Sequence, residues 1–335
     1  MVRPRRRRPV RVRFQPFDHP YGHELIAAFG DRAQVTPLRR ADADVGLDDV
    51  DIFHLGWPEY LTGSDPDAAG ALAEKVRGAG LPIVWSQHNL LPHHDRSPAA
   101  MAMYAVWAQA ADVVVHHSRW GEAVARGRLP YRTAAHHVVH RLGSWESRYR
   151  AVATLTRAEA ESRLGWRSGR LRLAVIGAPR ADKHVQTVLD AFAATDRDDL
   201  ELSVRVGGDE SIPDDPRINT ETGRRDEFEF AAKLKAVDAV ILPFDVDGSM
   251  LTTGIAADAI GAGTAVIAST WGYNVETFGD AAIRYDGTAA DLAQCLASIT
   301  AQQLERSRRA VIGLRSAHGW APFADRLLEV YAPQR

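Results

Sequence analysis

Short apolar runs alternate with amphipathic stretches along nearly the whole chain, the rhythm of an α/β protein built on parallel sheets. In the first half, strands are predicted at residues 10–16, 51–55, 82–87, 112–116 and 135–140. Helices are predicted between them: one after Pro20, one over residues 66–79 and one over residues 98–110. A second series begins with a strand at 171–177 and a helix that places Val185, Val188, Leu189 and Phe192 on one face. Further strands are expected at 201–206, 238–243, 265–269 and 282–285. The polar, arginine-rich stretch 144–169 between the two series reads as a linker, although Thr156 and Glu159 have the spacing of a capping box that starts a helix. The last apolar periodicity, Phe323, Leu327 and Val330, predicts a C-terminal helix over 320–331.

The fold class expected is therefore α/β, with two doubly wound, Rossmann-like domains: residues 1–145 and residues 165–319. Sheets of this kind bind ligands at the carboxyl ends of their strands, so a central cleft is expected.

Composition narrows the chemistry. The 335 residues are 45% hydrophobic and 25% charged, enough for two cores, and the formal charge of -2 gives no global attraction to nucleic acid. One cysteine, Cys295, leaves no intramolecular disulfide and no cysteine-rich metal cluster. No stretch has the roughly 18 to 20 apolar residues of a membrane span and the start lacks a secretion signal, so a cytoplasmic protein is expected. Arg3, Arg5 to Arg8, Arg11 and Arg13 concentrate positive charge near the start. They suit either a solvated terminus or a peripheral contact with an anionic surface such as a membrane.

The residues with the clearest chemistry follow the strand at 171–177. Gly177 leads into Arg180 and Lys183 on a strand-to-helix turn, where a planar guanidinium fork and a mobile ammonium can embrace a diphosphate. The same pair also suits a solvated loop. Further on, Thr252, Thr253 and Gly254 open an alanine-rich helix that carries Asp258. Free amides at a helix start favour an anion, and small residues let phosphate approach; small residues there also serve plain helix packing. In the first half, Trp85 to Asp95 leave a strand and enter a polar loop containing His88, His93, His94 and Asp95. No metal is expected, because adjacent histidines on one strand point to opposite faces. Trp57 and Trp271 follow strand ends, where an indole serves either to stack on a sugar or base or to fill an interface.

Read together, DIFHLGWPE from Asp51, VWSQHNLLPHH from Val84, ADVVVHHS from Ala111, the Arg180–Lys183 turn, VDAVILPF from Val237 and TTGIAADAIGAGTAVIAS from Thr252 resemble the GT-B glycosyltransferases of family 4, particularly the exopolysaccharide-type branch. The order and spacing agree over residues 14–276. The resemblance implies a sugar transferase that uses a nucleotide diphosphate-sugar, UDP or GDP being the expected carrier, and no other cofactor. The acceptor implied is a hydroxyl of a glycan, a lipid-linked intermediate or a small metabolite, with retention at the anomeric carbon. It places Gly177, Arg180, Lys183, Thr252, Thr253, Gly254 and Asp258 at the donor, and His88 near the transferred sugar, where imidazole can orient a hydroxyl or share a proton. The resemblance also makes residues 1–145 the acceptor-side domain, with helix 320–335 packing back onto it, and places Gly22 on the acceptor side, although a plain strand-to-helix turn suits it too and His19 stands where related enzymes often carry asparagine. His94 and Asp95 suit either acceptor-side groups or a plain surface loop. Many relatives carry two glutamates eight positions apart where this chain has Met250 and Asp258. Asp258 can still accept from a ribose hydroxyl, whereas Met250 cannot replace a carboxylate, so a non-catalytic, nucleotide-binding homologue that partners an active enzyme is the alternative.

Overall fold

The computed structural model describes residues 8–40, 47–166, 169–208, 210–223, 226–244 and 249–332. The chain divides into two compact units: Met1–Gly143 with Ser249–Thr252 and Gly319–Arg335, and Ser144–Gly248 with Thr253–His318.

The first unit runs β1 (Val10–Phe14), α1 (Pro20–Phe29), β2 (Ala33–Pro37), β3 (Ile52–Leu55), α2 (Glu59–Thr62), α3 (Pro66–Gly78), β4 (Ile83–Gln87), α4 (Pro98–Ala110), β5 (Val113–His116), α5 (Arg119–Arg128) and β6 (His136–Val139). Its six strands are all parallel, in the order β2-β1-β3-β4-β5-β6. Helix starts follow local chemistry. The Asp65 carboxylate accepts from the amides of Asp67 and Ala68 ahead of α3, and Ser97 accepts from the Ala100 amide ahead of α4. Phe53, Trp85, Met103, Trp107 and Val114 form the core between the sheet and α3 and α4.

The second unit runs α6 (Glu146–Tyr149), α7 (Arg157–Arg163), β7 (Leu171–Val175), α8 (Val185–Ala193), β8 (Leu200–Arg205), β9 (Ile218–Glu221), α9 (Glu227–Ala236), β10 (Ala239–Leu242), α10 (Gly254–Ala262), β11 (Ala265–Ser269), α11 (Gly272–Phe278), β12 (Ile283–Tyr285), α12 (Ala289–Ser298) and α13 (Ala301–Gly313). Its parallel sheet has the order β12-β11-β10-β7-β8-β9, so the winding reverses between β7 and β10. The predicted face of α8 is buried, with Val188, Leu189 and Phe192 in a core that includes Leu173, Leu202 and Ile241. The final helix, α14 (Trp320–Tyr331), belongs to the first unit, where Phe323 and Leu327 are fully buried.

Three expectations change. The strands β2 and β9 are additional to those predicted. The stretch 144–169 was expected to be a linker, but among its described residues Arg148, Arg157 and Glu161 are paired inside the second unit. Arg157 donates from Nη2 to Asp238 Oδ2 at 2.7 Å, and Glu161 accepts from Arg172 Nη1 at 2.8 Å. The capping box of Thr156 and Glu159 is formed and starts α7. Finally, Arg8 and Arg11 pair with Asp51, and Arg13 donates to the Pro37 carbonyl, which ties these three cations to the first unit. Arg3 and Arg5 to Arg7 lie outside the described residues.

The start of α1 fixes one candidate residue by sterics alone. A Cβ on Gly22 would stand 2.1 Å from the Pro16 carbonyl oxygen and 2.8 Å from that of Phe17. Gly22→Ala is therefore expected to destabilise the protein by about 1–3 kcal/mol through overpacking. A thermal denaturation curve identical to the wild type would show that the turn can relax and that Gly22 is not required there.

Candidate functional site

In open α/β sheets the crevice at the winding reversal binds ligands, and in the second unit the end of β7 carries the expected cations. Gly177 has φ +83°, and a Cβ there would stand 2.7 Å from Lys183 Nζ and 2.9 Å from Ile255 Cδ1, so glycine is needed for both conformation and space. Lys183 is only 2% exposed, and its Nζ donates to the Ile176 carbonyl at 3.0 Å. Burial, followed by the neighbouring Arg180 charge, pushes its ammonium down to about pKa 7, with Asp182 pulling the other way. That fall from the ordinary value of 10.5 corresponds to roughly 5 kcal/mol of unfavourable ionisation. Arg180 lies with its Nε 3.3 Å from Asp182 Oδ1. An incoming anion would relieve the cost of charging Lys183.

Across the reversal, Thr253 caps α10, its side chain accepting from the Ile255 amide at 3.3 Å, and the Gly254 carbonyl accepts from Trp145 Nε1 at 2.8 Å. Thr252 belongs to the first unit and is buried, its Oγ1 without a hydrogen-bond partner among the described residues. Asp258 has a different setting from the expected ribose contact. It is buried, and its Oδ1 accepts from both Arg148 Nη1 at 2.6 Å and Tyr149 OH at 2.8 Å. Burial raises its pKa to about 6 against the pull of Arg148 and Tyr149. The residue that Asp258 holds, Arg148, lines a cavity of about 170 Å³ with Gly177, Arg205, Glu221, Glu227 and Phe230. Arg148, Arg205 and Glu227 come from three separate segments and had no motif to signal them. Trp271 is a core residue, 2% exposed and packed on Phe244 and Tyr273.

In the first unit the winding reverses between β1 and β3. Gln15 Oε1, just past β1, accepts from the amides of Gly56 and Trp57, just past β3, at 3.1 and 2.9 Å. Beside them His88 follows β4, 4% exposed. Its ring stacks on Trp57 at 4.2 Å and 11°, meets the edge of Tyr21 at 4.8 Å and 89°, and lies 4.9 Å from His117. His117 Nδ1 donates to the His140 carbonyl at 3.0 Å, which fixes its tautomer and leaves Nε2 as the lone-pair nitrogen. Burial, and then the field of His117, holds the His88 pKa well below its usual 6.5, and His117 falls to about 4. His88 is thus a neutral imidazole near pH 7, suited to orienting a hydroxyl. Its Nε2 is buried without a hydrogen-bond partner among the described residues.

Met250 pairs with Asn89 in an antiparallel bridge, flanked by bonds from the Leu90 amide to the Ser249 carbonyl at 2.6 Å and from the Leu251 amide to the His88 carbonyl at 2.9 Å. A buried thioether on a backbone strap thus stands where a carboxylate is common in the resembled family. Asp95 works as a loop clasp, accepting from the Ser97 amide at 2.8 Å ahead of α4, while His94 is exposed. His93, not His94, touches the His88 segment, through Asn89 Nδ2 at 3.3 Å. No group of three metal-ligating side chains occurs among the described residues.

No protein-family model matches the chain. A relative in Xanthomonas campestris pv. campestris, a GDP-mannose:glycolipid 4-beta-D-mannosyltransferase, is 27% identical over an alignment of 248 residues that covers 68% of this chain. The match spans 63% of that relative's length. Among solved structures, sucrose-phosphate synthase from Thermosynechococcus elongatus superposes with a TM-score of 0.71 at 15% identity, covering 98% of this chain and 99% of the other. Anabaena HepE in complex with UDP superposes with a TM-score of 0.69 at 13% identity, covering 97% and 100%. Two parallel six-stranded sheets with these neighbours define the fold as that of the GT-B glycosyltransferases.

The burial of His88 makes a direct prediction. Its imidazole NMR signals are expected to stay at their neutral positions from about pH 6 to about pH 8, where an exposed histidine titrates. A midpoint inside that range would contradict the neutral assignment.

Proposed function

We propose that the chain transfers a sugar from a nucleotide diphosphate donor to a hydroxyl acceptor. The observation that carries this reading is the cradle at the end of β7, where Lys183 is buried against the Ile176 carbonyl under Gly177, with Arg180 three residues away. Cleavage of the bond between the anomeric carbon and the β-phosphate oxygen leaves the electron pair on the diphosphate. Prepositioned cations stabilise that developing charge more than they stabilise the intact donor. In this reading the amides of Thr253 and Gly254 assist, the nucleoside occupies the cavity beside Gly177, and UDP or GDP is the carrier. His88 orients the acceptor hydroxyl as a neutral imidazole. Retention at the anomeric carbon is part of the proposal through the resemblance, and the anomeric configuration of the product tests it.

The relative named for a glycolipid substrate supports a lipid-linked acceptor. No helix among the described residues is long and apolar enough to cross a membrane, which fits a peripheral approach to such an acceptor. A non-catalytic, nucleotide-binding role is the second reading, favoured by Met250 on its strap to Asn89.

Incubation with UDP-, GDP- and dTDP-sugars, with nucleotide release as the readout, separates the two. Slow hydrolysis or transfer is expected from at least one donor. Arg180→Ala and Lys183→Ala are each expected to slow release roughly 100-fold, the usual cost of one lost electrostatic contact to the transition state, with thermal midpoints unchanged. Binding without release would support the second reading, and unchanged release in both variants would remove the cradle from the site.

A further inference from the structure

We propose that the cavity at the carboxyl ends of β7, β8 and β9 is a guanine pocket, so that the second unit selects guanosine diphosphate-activated sugars over uridine, thymidine and adenosine ones. This rests on the donor-binding reading above.

The lining presents two kinds of group. On one hand stand the guanidiniums of Arg148 and Arg205, and on the other the carboxylates of Asp226 and Glu227. Guanine matches this mixture. Its O6 and N7 are adjacent acceptors that suit a planar guanidinium fork, and its N1–H and N2–H₂ are adjacent donors that suit a carboxylate. Adenine places a lone pair at N1 and a donor at N6, so a carboxylate and a guanidinium would each meet the wrong partner. Uracil offers one N–H between two carbonyl oxygens, and a carboxylate that reaches it is flanked by like partial charge.

The surrounding contacts decide which residues are available. Glu221 is engaged through Oε1, which accepts from Lys233 Nζ at 2.8 Å and from Ser203 Oγ at 2.7 Å. Asp226 caps α9, its Oδ1 accepting from the Glu229 amide at 2.7 Å. Glu227, in the first turn of α9, is exposed and sits within the electrostatic reach of Arg148. Arg148 is held by Nη1 on Asp258 and lies 5.8 Å from the centre of the Phe230 ring, which gives the pocket a flat apolar wall. Glu227 is therefore assigned to the N1–H and N2–H₂ edge, and Arg148 or Arg205 to O6 and N7. At about 170 Å³ the cavity takes a ring system and leaves the phosphates outside, toward Gly177.

Titration calorimetry with GDP, UDP, ADP and inosine diphosphate tests this on the full chain and on Glu227→Gln, an isosteric change at an exposed position. GDP is expected to bind about 10- to 100-fold more tightly than UDP or ADP, the range of one good bidentate base contact. Inosine diphosphate, which lacks the N2 amino group, is expected to fall between. Glu227→Gln is expected to weaken GDP about tenfold or more while leaving UDP unchanged and the thermal midpoint intact. UDP binding as tightly as GDP, or an equal loss of both in the variant, would overturn the guanine pocket and leave the donor reading standing. Failure of all four diphosphates to bind would overturn both.

Discussion

The second unit turns on one buried ammonium. A lysine that is 2% exposed, with a single backbone carbonyl as its hydrogen-bond acceptor among the described residues, is costly to charge, and the cost is heightened by Arg180 and Arg205 nearby. The arrangement persists because Gly177 has no side chain and adopts a left-handed backbone that clears space for Nζ. An anion delivered to this point would recover the desolvation cost. The same economy extends to Asp258, also buried, whose carboxylate fixes Arg148 in place and so sets one wall of the neighbouring cavity. The Gly177–Lys183 turn and the cavity thus meet at Ile176 and Gly177, near the point where the winding of the sheet reverses.

The first unit solves a different problem, the placement of a neutral imidazole. His88 lies between the face of Trp57 and the edge of Tyr21, and Tyr21 is fixed in turn by a bond from its hydroxyl to Ser86 Oγ at 3.0 Å. His54 bridges Ser86 and Tyr331 at 2.8 and 2.6 Å, so the C-terminal helix α14 is tied to the same group through a chain of buried polar contacts. Met250 and its neighbours hold the backbone around His88 through the strap to residues 88–90. The departure at Met250 removes a carboxylate and leaves a backbone anchor in its place.

Much of this was legible in the sequence, for physical reasons that differ from piece to piece. The central strands announce themselves because both faces are buried, giving continuous apolar runs such as 239–242. The strands β2 and β9 lie at sheet edges and read AQVTP and INTE, half-exposed and polar, so no apolar run marks them. The grouping of Gly177, Arg180 and Lys183 was readable because they lie on one short turn of the chain. Arg148 was not, since it lies in a stretch whose charges look solvated until their distant partners Asp258, Asp238 and Arg172 are known. His88 was a candidate from its loop, yet the depression of its pKa depends on burial by Trp57, Tyr21 and His117, which only the fold brings together. The loop bond of Asp95 was hidden for the same reason, since the sequence does not show that its carboxylate accepts from the Ser97 amide.

The central claim is that a diphosphate binds by charging a buried Lys183. The most direct measurement is the number of protons taken up when a nucleotide diphosphate-sugar binds, from calorimetry in buffers of different ionisation enthalpy. With the free ammonium at about 7 and the bound one raised by the diphosphate, binding at about pH 8 should take up close to one proton, and at about pH 6 almost none. Affinity should accordingly fall as the pH rises through 7, and Lys183→Ala should abolish the uptake. Tight binding at pH 8 without proton uptake, or uptake that survives the loss of Lys183, would contradict the account.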